Sequence, residues 1–253
     1  LGIAGILNQT AGYILFPYVY KDSDAHAQLG IFGAASKIAM IMSMITQAFR
    51  YAYEPFVFGK SRDKDNKETY ARAMKFFLIF TILAFLVVMG YMDVLRHIIG
   101  RDYWVGLRVV PIVMAGGIMT GVYFNLSFWY KLIDKTIWGA YFSGIGCAVI
   151  IGINVIFVPH YGYMACAWAG FLGNATAMVL SYVVGQRKYP IDYPLKSILV
   201  YVLIGGFFFA IITYCNANLS VPEALGVNTL VIIAFIAHVI YHDMPQVIRK
   251  FKK

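Results

Sequence analysis

Arg50 stands inside an otherwise apolar stretch running from Leu29 to Phe58, with Gln47 three residues before it and Glu54 four after. At roughly 100° per residue, a helix brings these three side chains within about 60° of one another, so they project from one face. Lys37, in the same stretch, lies about 100° away. Counted back from Gly59, where a charged loop begins, Arg50 sits roughly 14 Å of helix into the run. An arginine at mid-membrane costs about 2.5 to 3.5 kcal/mol on insertion scales, so the charge calls for a polar cavity or a partner. Two chemistries satisfy it: a cationic patch lining an aqueous cavity that receives an anion, or an internal Arg50–Glu54 pair at i,i+4 snorkelling toward the basic loop.

The remaining polar candidates are fewer and more ambiguous. Asn8-Gln9-Thr10 interrupts the first apolar run, and Asn125 and Asn154 lie within later ones. Membrane amides either bind a ligand or join helices. Lys131, Asp134 and Lys135 occupy a short link, where they suit orientation of the chain or contact with an anionic headgroup. His238 and His242 sit at i,i+4 beside Asp243, a metal-like spacing without a glutamate general base between them. Cys147, Cys166 and Cys215 fall in separate apolar runs with no CxxC, and read as small packing residues. Of 12 acidic residues only Glu54 is deep in a run, so no carboxylate pair is set for acid and base catalysis. No cofactor or metal is expected.

The elements that must position these groups are membrane helices. Hydrophobic residues make up 60% of the 253, charged residues 13%, and the mean hydropathy is +0.70; soluble domains hold about 45 to 50% apolar and 25% charged residues. Eight apolar runs can be marked: Leu1 to Tyr20, Leu29 to Phe58, Phe76 to Met92, Val109 to Tyr130, Ile137 to Val158, Tyr163 to Val184, Ile198 to Tyr214, and Leu225 to Tyr241. The expectation is an all-α polytopic helix bundle of about eight transmembrane helices. Pro159-His160-Tyr161-Gly162 predicts a tight hairpin between the fifth and sixth, and Lys131 to Thr136 an equally short link between the fourth and fifth.

The net charge of +9 would suggest nucleic acid in a soluble protein, but here the cations concentrate in short loops. Fifteen lysines and arginines fall on one side of the alternating runs, including Lys60 to Lys75 and Arg249 to Lys253, against four on the other. That asymmetry predicts both termini in the cytoplasm and no nucleic-acid partner. In the sixth run Ala165, Ala169, Gly173 and Ala177 form one i,i+4 row, and Cys166, Gly170 and Asn174 the adjacent one, a pattern for close helix contact. Gly117, Gly121 and Asn125 repeat it in the fourth. The first run opens at Leu1 without methionine, charged n-region or cleavage site, which predicts further residues upstream.

Three stretches together bring a family into view. Thr46-Gln47-Ala48-Phe49-Arg50-Tyr51-Ala52-Tyr53-Glu54-Pro55-Phe56 resembles the second-lobe signature of bacterial polysaccharide biosynthesis membrane proteins, oligosaccharide flippases of the multidrug/oligosaccharidyl-lipid/polysaccharide exporter superfamily. Asn125 through Thr136 is similar to that family's link between paired helices, and Asn154 through Ala169 to its helix-Pro-Gly-helix hairpin. One departure matters: Gly12-Tyr13 stands where the family pattern leads to a charged pair after Asn8-Gln9-Thr10, which throws more weight onto Arg50.

The resemblance implies a six-helix second transporter lobe over residues 1–184 and two additional transmembrane helices with a basic cytoplasmic tail over 185–253. It implies a bacterial inner-membrane protein whose N-terminal lobe lies upstream as a partner, surrounded by membrane lipids. The implied activity is translocation of an undecaprenyl-linked oligosaccharide, anionic in character, for surface polysaccharide or lipopolysaccharide assembly. By the same resemblance Arg50, Lys37, Gln47, Glu54, Asn8, Gln9, Asn125 and Lys131 are the candidate substrate-binding residues. Two rivals remain: a multidrug cation antiporter of the same superfamily, which needs a buried carboxylate free to exchange ions, and a membrane-embedded glycosyltransferase or polymerase, against which the short outer loops speak.

Overall fold

In a computed structural model the chain is described at Phe16, Ala25–Gly59 and residues 66–243. Among these residues every regular element is helical: α1 Ala25–Gly59, α2 Asn66–Gly90, α3 Met92–Leu95, α4 Val110–Leu126, α5 Phe128–Leu132, α6 Ile137–Tyr161, α7 Tyr163–Lys188, α8 Leu195–Asn218 and α9 Val221–Asp243, with 3₁₀ turns at Arg96–Ile98 and Arg101–Val109. Seven of the described helical segments are long and apolar enough to cross a membrane. They match the second to eighth apolar runs, and the chain is an all-α polytopic membrane protein. Of the first run only Phe16 is described, and Asn8 and Gln9 lie outside the described residues. Large apolar side chains stay exposed along single faces, such as Leu199, Leu203 and Phe207 of α8. Lipid accepts such a face, whereas a water-soluble fold would bury it.

Local chemistry sets several boundaries. Ser220 donates both its hydroxyl (2.6 Å) and its backbone N–H (3.1 Å) to the Glu223 carboxylate, a capping arrangement that starts α9. The reversal between α6 and α7 is tighter than the Pro-to-Gly stretch predicts. Helix α6 runs through Pro159 to Tyr161, and the turn is Gly162 alone, at φ 53°. A proline in the final turn forgoes a single hydrogen bond, whereas the positive φ needs a residue without Cβ. The Ile133–Thr136 link turns at Asp134, also at positive φ (54°), which a short polar side chain tolerates.

The helices cluster into two compact units. The first takes the described residues up to Met74 with Ile99–Tyr193. Helix α6 crosses α7 closely, and a Cβ on Gly146 would lie 2.9 Å from the Gly173 carbonyl oxygen. The row Ala165, Ala169, Gly173 and Ala177 is buried at this crossing, as small residues allow. The 3₁₀ segment before α4 presses on α1 so closely that a Cβ on Gly106 would stand 2.7 Å from the Ile31 carbonyl oxygen. Trp129, Tyr130 and Phe142 form an aromatic core beside α7, with the Trp129 indole N–H donating to the Ser181 carbonyl at 3.2 Å.

The second unit joins Lys75–Ile98 to the described residues from Pro194 onward. Amides hold it together: Asn228 Nδ2 donates to the Gly90 carbonyl at 2.9 Å and to Asn216 Oδ1 at 2.8 Å, and Asn216 Nδ2 to the Met89 carbonyl at 3.3 Å. At its other end the Asp243 carboxylate receives Lys75 and the Tyr201 hydroxyl.

Candidate functional site

Helices α1, α4 and α7 of the first unit enclose a groove of about 630 Å³. Its walls follow from helical spacing. On α1, Ser36, Met40, Ser43, Met44, Gln47 and Tyr51 recur every three to four residues and face it. From α4 come Gly116, Gly117, Thr120 and Phe124, and from α7 Cys166, Gly170, Phe171 and Asn174. The two small-residue rows of α7 thus serve different ends. One row packs into α6, while Cys166, Gly170 and Asn174 line the groove. Gly117 lets α4 approach α1 at the floor, where a Cβ would meet Met42 Cγ at 2.9 Å.

Among the described residues that form the wall, none is charged. Polar groups are hydroxyls and amides: Ser36, Ser43, Thr46, Gln47, Thr120 and Asn174. Ser36 Oγ and Thr46 Oγ1 are buried atoms without a hydrogen bond among the described residues. A buried hydroxyl left so costs about 1 to 3 kcal/mol, which a ligand or a water in the groove relieves.

Arg50 stands just beyond this wall. Its guanidinium carbon lies 4.9 Å from the centroid of the Phe124 ring and 5.4 Å from that of Tyr51, both of which line the groove. A second, small cavity of about 10 Å³ is lined by Thr46, Arg50, Gly121, Phe124 and Asn125 among others, room for about one water. Two of these lining residues carry further buried atoms without a hydrogen bond among the described residues, Arg50 Nε and Asn125 Oδ1. Thr46 and Phe124 belong to both walls. The cation thus lies against two aromatic rings of the groove wall.

Glu54 has a partner that helix spacing alone does not reveal. Its Oε1 receives Lys131 Nζ at 2.6 Å, whereas Oε2 is 3.9 Å from Arg50 Nε. Lys131, at the end of α5, competes for the same carboxylate and holds it more closely. Two cations share one anion, which leaves one positive charge over, and Arg50 carries the less neutralised part of it. Lys131 also lies 5.2 Å from the Phe128 ring centroid. The trio rests on an apolar floor of Tyr53, Val57, Tyr70 and Phe128, with the Tyr70 hydroxyl donating to the Val57 carbonyl at 3.2 Å.

The structure therefore draws Gln47, Arg50, Glu54, Asn125 and Lys131 into one neighbourhood, with Gln47 on the groove, Arg50 and Asn125 on the small cavity beside Phe124, and Glu54 between Arg50 and Lys131. Lys37 is exposed on α1 and is not part of the groove wall. Among the described residues Asn125 does not join helices, its Nδ2 donating to the Gly121 carbonyl of its own helix at 3.0 Å. Asn154 does, since its Oδ1 accepts the Cys166 thiol of α7 at 3.1 Å. His238 and His242, in the other unit, lie with ring centroids 4.5 Å apart and planes tilted by 49°. Ser36, Ser43 and Thr120 are not among the candidates drawn from the sequence; for the two serines the signal is their i,i+7 spacing, continued by Gln47 four residues on, along one face of α1.

Among solved structures, the chain is similar to the lipid II flippase MurJ in its inward closed conformation. The TM-score is 0.68 at 16% sequence identity, over 94% of this chain and 52% of that one. The chain shares that fold and spans about half the length of the solved protein. No protein-family model and no curated protein matches the sequence.

Proposed function

We propose that this chain is part of a transporter that moves a lipid-linked oligosaccharide, of undecaprenyl type, across a bacterial plasma membrane for surface polysaccharide assembly. The observation that carries the reading is an under-neutralised arginine beside a membrane-embedded polar groove, on a fold similar to that of a lipid II flippase. A pyrophosphate-linked lipid presents an anion next to a sugar, and the two parts of the site offer a cation next to hydroxyls and amides. Arg50 and Gln47 are the first contacts in this reading, with Glu54 and Lys131 setting how much of the arginine's charge is available. Lys37, Asn8, Gln9 and Asn125 complete the candidate set.

No covalent bond changes in such a transfer. Residues 1–184 act as the second lobe of the transporter and 185–253 as an additional helix pair, with an N-terminal lobe elsewhere in the protein as partner. The lobes rock about the central site in alternating access, so that the groove opens to one leaflet at a time. Glu54 is doubly engaged by cations, which suits a structural carboxylate better than an ion-exchanging one.

Arg50→Ala in the full-length protein tests the reading. Surface glycan, measured by immunoblot of whole cells, is expected to disappear while the membrane level of the protein stays unchanged. Normal surface glycan at normal expression removes the assignment.

A further inference from the structure

We infer that the groove between α1, α4 and α7 holds the sugar portion of the substrate, and that the sugar it selects is uncharged. The inference rests on the transport reading above and divides its ligand in two: the anion goes to Arg50, the saccharide to the groove. Charge distribution is the reason. The described wall carries no lysine, arginine, histidine or carboxylate, and the Arg50 guanidinium, which is not part of it, lies 4.9 Å from the Phe124 ring centroid and beside Glu54. A carboxylate or sulfate on the sugar would be desolvated there without a counter-ion, which is strongly unfavourable.

Sugar hydroxyls, in contrast, each donate and accept. Gln47 offers an amide with both capacities and Ser43 a hydroxyl, while Thr120 Oγ1 and Asn174 Nδ2 donate to the Gly116 carbonyl at 3.0 and 3.5 Å, which leaves Thr120 Oγ1 as an acceptor on the same wall. Ser36 and Thr46 present buried hydroxyls without a hydrogen bond, so the wall has polar capacity that the protein itself leaves unused. Rings of Tyr51, Phe124 and Phe171 supply flat apolar surface for the C–H face of a pyranose. The volume of about 630 Å³ falls within the range of about 300 to 1,000 Å³ typical of sites for small organic ligands.

Binding of three synthetic lipids to the purified full-length protein in nanodiscs tests this: undecaprenyl pyrophosphate bare, carrying N-acetylglucosamine, and carrying glucuronic acid. The neutral glycolipid is expected to bind roughly tenfold more tightly than either other lipid, equivalent to about 1.4 kcal/mol. Gln47→Lys, which places a cation on the wall, should narrow or invert the preference between the two sugars. Arg50→Ala should weaken all three lipids alike. If the glucuronyl lipid binds as well as the neutral one, or the bare lipid as well as either, the assignment of the groove falls while the transport reading stands. A neutral-sugar preference that Gln47→Lys leaves untouched removes the sugar from this groove. Failure of all three lipids to bind overturns the transport reading, and this inference with it.

Discussion

Substituting Gly173 by alanine should drive α6 and α7 apart at their closest point. The added Cβ would lie 2.4 Å from Ile150 Cγ1, 2.9 Å from Ile150 Cδ1 and 2.8 Å from the Gly146 carbonyl oxygen. Apolar carbons rest at about 3.5 to 4.0 Å, so the overlap with Ile150 exceeds about 1 Å. Neither neighbour yields easily. Ile150 is 2% exposed with a β-branched side chain that is stiff in a helix, and the other contact is backbone. Overpacking of this kind costs about 1 to 3 kcal/mol, and two rigid neighbours place it at the upper end. Alanine regains about 0.5 to 1 kcal/mol over glycine within a helix, so the net loss is about 2 kcal/mol. At about 2 to 4 °C per kcal/mol for a chain of this size, the apparent melting temperature of the full-length protein in nanodiscs should fall by about 4 to 8 °C.

Gly144→Ala, on the facing helix α6, is the matched control, because a Cβ there meets nothing within 4 Å. It should melt at or slightly above the parent. Ile150→Ala removes both contacted side-chain atoms, so the double variant Gly173→Ala/Ile150→Ala should lose less than the two single losses combined. The glycine row would then lose its role at the crossing if Gly173→Ala melted with Gly144→Ala. Transport should suffer as well, since Cys166, Gly170 and Asn174 on the adjacent row of α7 would be carried out of the groove wall.

Three further outcomes follow from named contacts. Lys131→Met should release Glu54 to Arg50, lowering stability by about 1 kcal/mol for a partly exposed pair and reducing glycan export, with Glu54→Gln in the same chain restoring export; a double variant no better than the single one refutes the competition. Trp129→Phe removes the indole donor to the Ser181 carbonyl and should cost about 1 kcal/mol, read as a melting shift of about 2 to 4 °C. Asn228→Ala, which strips two bonds from α9 to the Gly90 carbonyl and Asn216, should cost about 0.6 to 1.7 kcal/mol by the same measurement, without altering lipid affinity.

Much of this protein is written locally. Apolar runs longer than a bilayer's hydrocarbon core can satisfy their backbone only as helices, so eight runs could be marked from composition and length; the second to eighth match helices long enough to span, and the first is described only at Phe16. Periodicity also singled out Arg50, Gln47 and Glu54 on one face, and the small-residue rows of α7, because an i,i+4 relation is fixed by helix geometry alone. Tertiary structure decided what each face meets. Lys131 is 77 residues from Glu54, so nothing in helix spacing could show that it, rather than Arg50, takes the nearer carboxylate oxygen. The same holds for the groove, whose walls come from three helices far apart in the chain, and for Phe124, which sets an arginine beside that groove but not in it. Secondary structure follows from short-range steric and solvation rules, whereas partners and cavities arise only when helices with similar apolar faces choose among themselves by fit.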